Sequence, residues 1–331
     1  MRYYNIPIFV PHYGCPFDCV FCNQKHITGE GEVPSGERAD KIIREHLETL
    51  PKTDRIIEAA FFGGSFTAVE TSLQEELLAA AYEFVKSGEI DGIRLSTRPD
   101  FINDEIMQRL ISYGVTTVEL GVQSMDDGVL FAAGRGHTAT DVETAVRVIK
   151  KYPVKLGLQM MTGLPSDNDE KSIATAEKII ALKPDFVRIY PTLVIRDTRL
   201  CEMYGQGTYR PQELEGAVSL AARLMEMFRK NNITVIRAGL AATEEISPNG
   251  ALVAGPYHSA FGELCEGELF YNKMLDSLSE GKTAVFAVNP RDISKAIGNG
   301  ARNMTRFKEQ GISVSLIQDE AVPLGEIVRK D

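Results

Sequence analysis

The chain has 331 residues, 44% of them hydrophobic and 25% charged, which suffices for a full apolar core and excludes a disordered polymer. No run approaches the roughly 18 apolar residues of a membrane span, and the opening MRYYNIPIFV has no charged-then-apolar leader, so no membrane partner and a cytoplasmic location are expected. A net charge of −10 argues against a general nucleic-acid coat protein, but the segment from Lys282 to Asp331 carries 8 Lys/Arg against 6 Asp/Glu, so a local contact through the tail stays open.

In chain order, the apolar periodicity predicts a strand at 5–11, a helix near 36–50, a strand at 56–62 and a helix near 70–87. Strands at 91–97 and 115–122 come next, with helices near 103–113 and 139–151. A strand at 153–161, a helix near 168–182, a strand at 186–191, a helix near 213–231 and a strand at 233–239 complete the pattern. Strand–helix alternation of this length implies parallel strands joined by right-handed crossovers. The expected fold is α/β, a partial or complete (β/α) barrel over 1–281, then a small α/β extension over 282–331.

Three of the five cysteines fall within eight residues, in Gly14-Cys15-Pro16-Phe17-Asp18-Cys19-Val20-Phe21-Cys22-Asn23. Clustered thiols in a chain otherwise poor in cysteine argue for a metal or redox site rather than a disulfide scaffold. Three thiolates are one short of the four that fill an ordinary iron–sulfur site, which leaves one metal position open to a ligand. A zinc site completed by His12 or His26 is the alternative, in a binding protein without catalysis.

Barrel active sites lie where the strands end at their C-terminal mouth. The cysteine loop comes after the first strand, Gly63-Gly64-Ser65-Phe66-Thr67 after the second, and Ser96-Thr97-Arg98-Pro99-Asp100 closes the third. Glu119 to Ser124, Gln159 to Pro165 and Arg188-Ile189-Tyr190-Pro191 stand at the ends of the next three. The period of two places Glu119 and Gln123 on one face of their strand, Ser96 with Arg98, and Arg188 with Tyr190. Arg98, Glu119, Arg188 and Tyr190 are therefore the candidate catalytic groups, unless charges such as Arg98 and Glu119 merely pair with each other. Gly63 and Gly64 could bring backbone close to a ligand, and no Gly-Lys-[Ser/Thr] comes after them to make a phosphate loop.

These motifs resemble those of radical S-adenosylmethionine (SAM) enzymes over residues 5 to about 280. Thr97-Arg98-Pro99-Asp100, Glu119-Leu120-Gly121-Val122-Gln123-Ser124 and Arg188-Ile189-Tyr190-Pro191-Thr192-Leu193-Val194-Ile195-Arg196 are similar to the radical domain of the Elongator catalytic subunit. Gly121-Val122-Gln123-Ser124, Arg135-Gly136-His137 and Gly163-Leu164-Pro165 are also similar to oxygen-independent coproporphyrinogen oxidases. The resemblance implies that Cys15, Cys19 and Cys22 hold a [4Fe–4S] cluster whose open iron chelates SAM. It implies that Phe21 lies beside the adenine, that Gly63, Gly64 and Ser65 receive the methionyl ammonium, and that Gln123 and Arg135 reach the ribose and carboxylate. Reductive cleavage to a 5′-deoxyadenosyl radical is the implied chemistry, with electrons from a reduced flavodoxin or ferredoxin-type donor. The second substrate is expected to be tRNA or another RNA, or, in the alternative, a tetrapyrrole or haem. Two departures limit the carry-over. Ser96 and Gln159 stand where the coproporphyrinogen oxidases have carboxylates, and the tail is too short for the Elongator subunit's acetyltransferase domain.

Three later segments are read from the residues. His258, in Gly255-Pro256-Tyr257-His258, is either a hydrogen-bonded turn residue or a substrate contact over the mouth; Cys201 and Cys265 are expected to be small buried apolar groups. In the tail, Asn289-Pro290 starts a helix, Gly298-Asn299-Gly300 breaks it and a second helix ends at Gly311. Arg291 with Lys295, and Arg302 with Arg306, form either a solvated face or an edge that contacts RNA phosphates.

Overall fold

The computed structural model describes residues 2–10, 15, 17–22, 34–240, 250–278 and 283–331. His12 and His26, weighed as zinc ligands, lie outside the described residues, as do Gly14, Pro16 and Asn23 of the cysteine motif.

The first half alternates as expected: β1 (Arg2–Val10), α1 (Gly36–Thr49), β2 (Arg55–Gly63), α2 (Thr71–Lys86), β3 (Gly92–Thr97), α3 (Asp104–Ser112) and β4 (Val115–Gln123). A short helix that the periodicity did not reveal, α4 (Asp127–Ala132), precedes α5 (Ala139–Ile149), β5 (Lys155–Thr162), α6 (Asp169–Ala181) and β6 (Phe186–Pro191). Then come β7 (Val194–Ile195), α7 (Arg199–Gly205), α8 (Leu214–Lys230), β8 (Thr234–Ala238), β9 (Leu252–Ala254) and α9 (Phe261–Asp276). The tail adds β10 (Thr283–Val288), α10 (Ile293–Ile297), α11 (Arg302–Glu309), β11 (Ser313–Gln318) and β12 (Ile327–Arg329).

Side-chain caps account for several starts. Ser35, Asn103 and Asn168 each accept a backbone N–H of the first turn, and Thr138 with Asp141 forms a reciprocal capping box before α5. In β1, buried Ile6, Ile8 and Val10 alternate with exposed residues, the period of a strand covered on one face. Their core lies between the sheet and its helices, where Ile57, Ile93, Leu77 and Leu78 are fully buried. Burying each such side chain contributes about 1.5–3 kcal/mol.

Strands order as β1-β2-β3-β4-β5-β6-β8, and every neighbouring pair is parallel. In a flat sheet β1 and β5 would stand about 19 Å apart, at ~4.8 Å per strand. Yet Lys155 at the start of β5 reaches the Tyr3 hydroxyl on β1 at 3.5 Å. The sheet is curled, and among the described residues β1 and β8 do not pair, so the barrel is partial.

The tail forms its own three-stranded sheet, β11-β10-β12. Phe286, Phe307, Ala284 and Val288 make a second core with Phe270, Tyr271 and Met274 of α9, while Phe261, Leu264, Cys265 and Leu269 of the same helix sit in the first. Arg306 pairs with Glu268 and lies 3.6 Å over the Tyr271 ring, and Arg302 pairs with Glu215 of α8. These two arginines, read from sequence as a solvated or RNA-facing pair, engage carboxylates on α8 and α9. Lys295 is also paired, to Asp292 at 2.8 Å. No helix among the described residues is long and apolar enough to cross a membrane.

Candidate active site

At the C-terminal ends of the strands a cavity of about 340 Å³ opens. Cys15, Cys19, Cys22, Phe21, Gly63, Gly64 and Ser65 line it, and so do Arg98, Glu119, Gln123, Arg135 and Tyr190. Among the described residues singled out from sequence as catalytic, cofactor-binding or metal-binding, Arg188 is the one that does not line it; it is hydrogen-bonded instead to Glu119 and Tyr190.

The cysteine loop is tied down from several directions. Val20 N–H donates to the carbonyl of Ala133 at 3.0 Å, and Leu200 N–H donates to that of Val20 at 2.7 Å. Phe17 lies under the Arg98 guanidinium at 4.3 Å. On Gly136, whose φ is +74°, a Cβ would stand 2.1 Å from the Phe17 ring, so the turn after α4 must have glycine there. Arg98 is itself fixed, by a two-point pair with Asp100 at 2.9 and 3.0 Å and a bond to the carbonyl of Arg135. From the same turn, Arg135 directs one N–H at Cys19 Sγ at 3.4 Å and another at the carbonyl of Gly121 at 2.7 Å. Where β2 ends, Gly63 has a φ of +111°, and a Cβ would stand 2.6 Å from the carbonyl oxygen of Val10. Only glycine lets the two strand ends approach so closely.

Inside the barrel the charges pair differently from the sequence expectation. Arg98 does not meet Glu119, because its guanidinium is turned to Asp100. Glu119 is held instead by Arg94 at 3.0 Å and Arg188 at 2.6 Å, and Arg94 also pairs with Glu58 at 2.9 Å. Thr116 and Thr117 donate to the remaining oxygen of Glu58 at 2.8 and 2.7 Å. Arg188 also donates to the Tyr190 hydroxyl at 3.3 Å. Burial would lower the Arg188 pKa, but hydrogen bonds and charge from Glu119 and Tyr190 hold it above its ordinary value.

The edge of the cavity has an unusual backbone. Pairing of β4 with β5 slips between Gly121 and Gln123, and Gln123 adopts a φ of +67°. A non-glycine residue held there costs about 1 kcal/mol and persists only where its surroundings fix it. His137 Nε2 donates to the Val122 carbonyl at 3.1 Å, and Gln159 donates to the Gln123 side-chain oxygen at 3.2 Å. Burial, then the charges on Arg135 and Arg98, pull the His137 pKa down to about 4, so the ring is neutral near pH 7.

Two sequence alternatives meet the geometry here. His258 Nδ1 accepts the Ala260 N–H at 3.0 Å, the satisfied turn of the simpler reading, and the residue does not line the cavity. Cys265 is fully buried with its thiol pKa pushed up by burial, while Cys201 is half-buried against Val20 and Leu200. Glu58, Arg94 and the Thr67 and Thr97 hydroxyls were not singled out. Their signal was present for the charged pair, since IIEAAFF and GIRLST each place one charge inside an apolar strand.

The residues fit an iron–sulfur cofactor in specific ways. The three cysteines are in no disulfide and open on one cavity. Arg98 Nη1 and Arg135 Nε are buried without a hydrogen-bond partner among the described residues, donors suited to an anionic ligand. Among the described residues no three metal-binding side chains converge on a single ion. A cubane held at three corners does not require that convergence, because each thiolate binds a different iron.

A curled parallel sheet with a thiol-lined cavity at its C-terminal mouth defines an α/β-barrel enzyme built around a cofactor. The radical SAM superfamily signature matches residues 9–179, just over half of the chain, and that of the radical SAM C-terminal domain matches residues 184–270. The chain belongs to the radical SAM superfamily of enzymes. It is 26% identical over 270 residues to a tRNA uridine(34) acetyltransferase of Dehalococcoides mccartyi (strain CBDB1), covering 68% of this chain and 59% of that protein. To Elongator complex protein 3 of Schizosaccharomyces pombe it is 30% identical over 203 residues, 55% of this chain and 37% of that one. The chain thus spans less than two thirds of the length of either relative. The fold resembles that of the archaeal Elp3 of Methanocaldococcus infernus, with a TM-score of 0.63 at 22% identity over 82% of this chain and 68% of that chain.

Proposed function

We propose that the protein binds a [4Fe–4S] cluster through Cys15, Cys19 and Cys22 and SAM in the adjoining cavity, and acts on a nucleoside within RNA. The observation that carries this reading is the shared cavity, which gathers all three thiols with the Gly63–Ser65 turn, Gln123 and Arg135. With the cluster held by Cys15, Cys19 and Cys22 and SAM bound beside it, the chemistry available there would be one-electron reductive cleavage of the sulfonium, which would give a hydrogen-abstracting radical.

The chain's own residues then divide the work. Arg135 places its N–H on Cys19 Sγ, stabilising negative charge on sulfur. Phe21, half-buried among Val20, Val129 and Leu164, offers an apolar wall to the adenine. Gln123, fixed by Gln159 and the His137-bound backbone, meets the ribose. Glu119 has both oxygens occupied by guanidinium groups, which suits it to anchoring Arg188, and through it Tyr190, rather than to carrying a proton. Arg98 frames the cysteine loop through Phe17.

RNA as second substrate is supported by the name of one relative, the tRNA uridine(34) acetyltransferase, and a reduced flavodoxin or ferredoxin-type protein is the proposed electron donor. Within the tail, which we propose to be a small extension over 282–331 that shares α9 with the barrel, a phosphate contact falls to the exposed Arg291 and Lys308, since Arg302 and Arg306 are paired. After anaerobic reconstitution we expect roughly four iron and four sulfide per chain and dithionite-dependent 5′-deoxyadenosine, raised by added tRNA and lost in Cys19→Ala. One bound zinc and no deoxyadenosine would overturn the cofactor assignment. A yield raised by coproporphyrinogen and not by tRNA would overturn the substrate.

A further inference from the structure

Beside the Gly63–Gly64 turn three buried hydroxyls form a chain whose proton direction is fixed from the end that meets the Phe101 carbonyl. Thr67 Oγ1 donates to the Phe101 carbonyl at 2.7 Å, and a carbonyl can only accept, so the one proton of Thr67 is committed there. Thr67 Oγ1 also contacts Thr97 Oγ1, where it must therefore accept, which commits the proton of Thr97. Between Ser65 Oγ and Thr97 Oγ1, 2.9 Å apart, the donor must then be Ser65. From its other side Ser65 Oγ accepts the Arg98 N–H at 3.1 Å. Ser65 lines the cavity with no proton to offer and one lone pair remaining.

We propose that Thr67 and Thr97 are positioning residues that hold Ser65 as a pure acceptor, so that this corner of the cavity selects a ligand carrying an ammonium group, the amino group of SAM. The inference rests on the SAM reading above and adds a mechanism of selection to it. A carboxylate brought to the same corner would meet only lone pairs, and is left to the arginine side of the cavity. Removing the Thr67 hydroxyl frees Thr97 to donate toward Ser65. The Ser65 proton can then turn into the cavity and face the ammonium, donor against donor.

The test uses anaerobically reconstituted enzyme, matched for iron content, and two ligands: SAM and its analogue with hydrogen in place of the amino group. In Thr67→Val, SAM binding by equilibrium dialysis should weaken roughly ten-fold, the scale of one charge-assisted hydrogen bond, while the analogue binds as before. Thr67→Ser, which keeps the proton, should restore SAM binding. Ser65→Ala should show the same ligand pattern without altering Thr67, and serves if Thr67→Val does not take up iron. Equal weakening of both ligands, or weakening of neither, overturns the relay. A wild-type enzyme that binds neither ligand overturns the SAM reading itself.

Discussion

His137 links the stability of the barrel mouth to pH in a way that can be worked through. The ring is 3% exposed and donates through Nε2 to the Val122 carbonyl, next to Arg135 and Arg98. Its pKa is lowered from 6.5 to about 4 in the folded chain. Between those values the unfolded chain binds a proton that the folded one refuses. The contribution is therefore fully present above pH 6.5 and is lost as the pH falls through the window. Near 1.4 kcal/mol per unit, a gap of about 2.5 units amounts to roughly 3 kcal/mol in full and about 2 kcal/mol at pH 5. The perturbation is His137→Gln, which has no charge to gain. Anaerobic urea titrations of both holo-proteins at pH 7 and pH 5 give the difference of differences, from which a constant cost of the substitution cancels. Wild type should lose about 2 kcal/mol more than the variant on acidification. An identical pH dependence in the two proteins, or a His137 ring signal that titrates near pH 6.5 in the folded state, would refute the reasoning.

Three further outcomes rest on particular contacts. Glu119→Ala leaves Arg94 and Arg188 buried without their shared carboxylate, and a loss of about 3–5 kcal/mol is expected in urea unfolding; a loss under 1 kcal/mol would show that the network is not held there. Gly63→Ala places a methyl group 2.6 Å from the Val10 carbonyl oxygen on a backbone with φ of +111°, so reconstituted iron content and melting temperature should both fall, and normal values for both would count against the close approach. Phe307→Ala empties the centre of the second core at a cost of about 3–5 kcal/mol, whereas deoxyadenosine formed per bound cluster should be unchanged.

Much of the barrel was legible because its signals are local. Each of the seven main strands is an apolar run, and Asn103, Thr138 and Asn168 mark helix starts within a residue of those expected. The site was legible for a different reason: strand ends in a parallel barrel converge, so motifs after successive strands had to meet. What sequence periodicity could not supply were partners and directions. Glu119 faces inward as the period of two required, yet whether it meets Arg98 or Arg188 depends on the rotamer that Asp100 imposes on Arg98. The slip in pairing at Gly121 and the left-handed Gln123 have no local sequence mark, because they come from a mismatch between neighbouring strands. Likewise, the charge spacing of Arg302 and Arg306 was visible, but not that Glu215 and Glu268, far away in the chain, would meet them.

Because α9 serves both apolar interiors, the small sheet cannot be trimmed away as an independent accessory. A chain stopped after Asp276 would keep the barrel's half of the helix intact while stripping cover from Phe270, Tyr271 and Met274, a sticky stripe that invites self-association. Conversely, loosening the small sheet would fray the helix from its far side and be felt by Phe261 and Leu264 under the barrel, so the two parts should melt in one cooperative step.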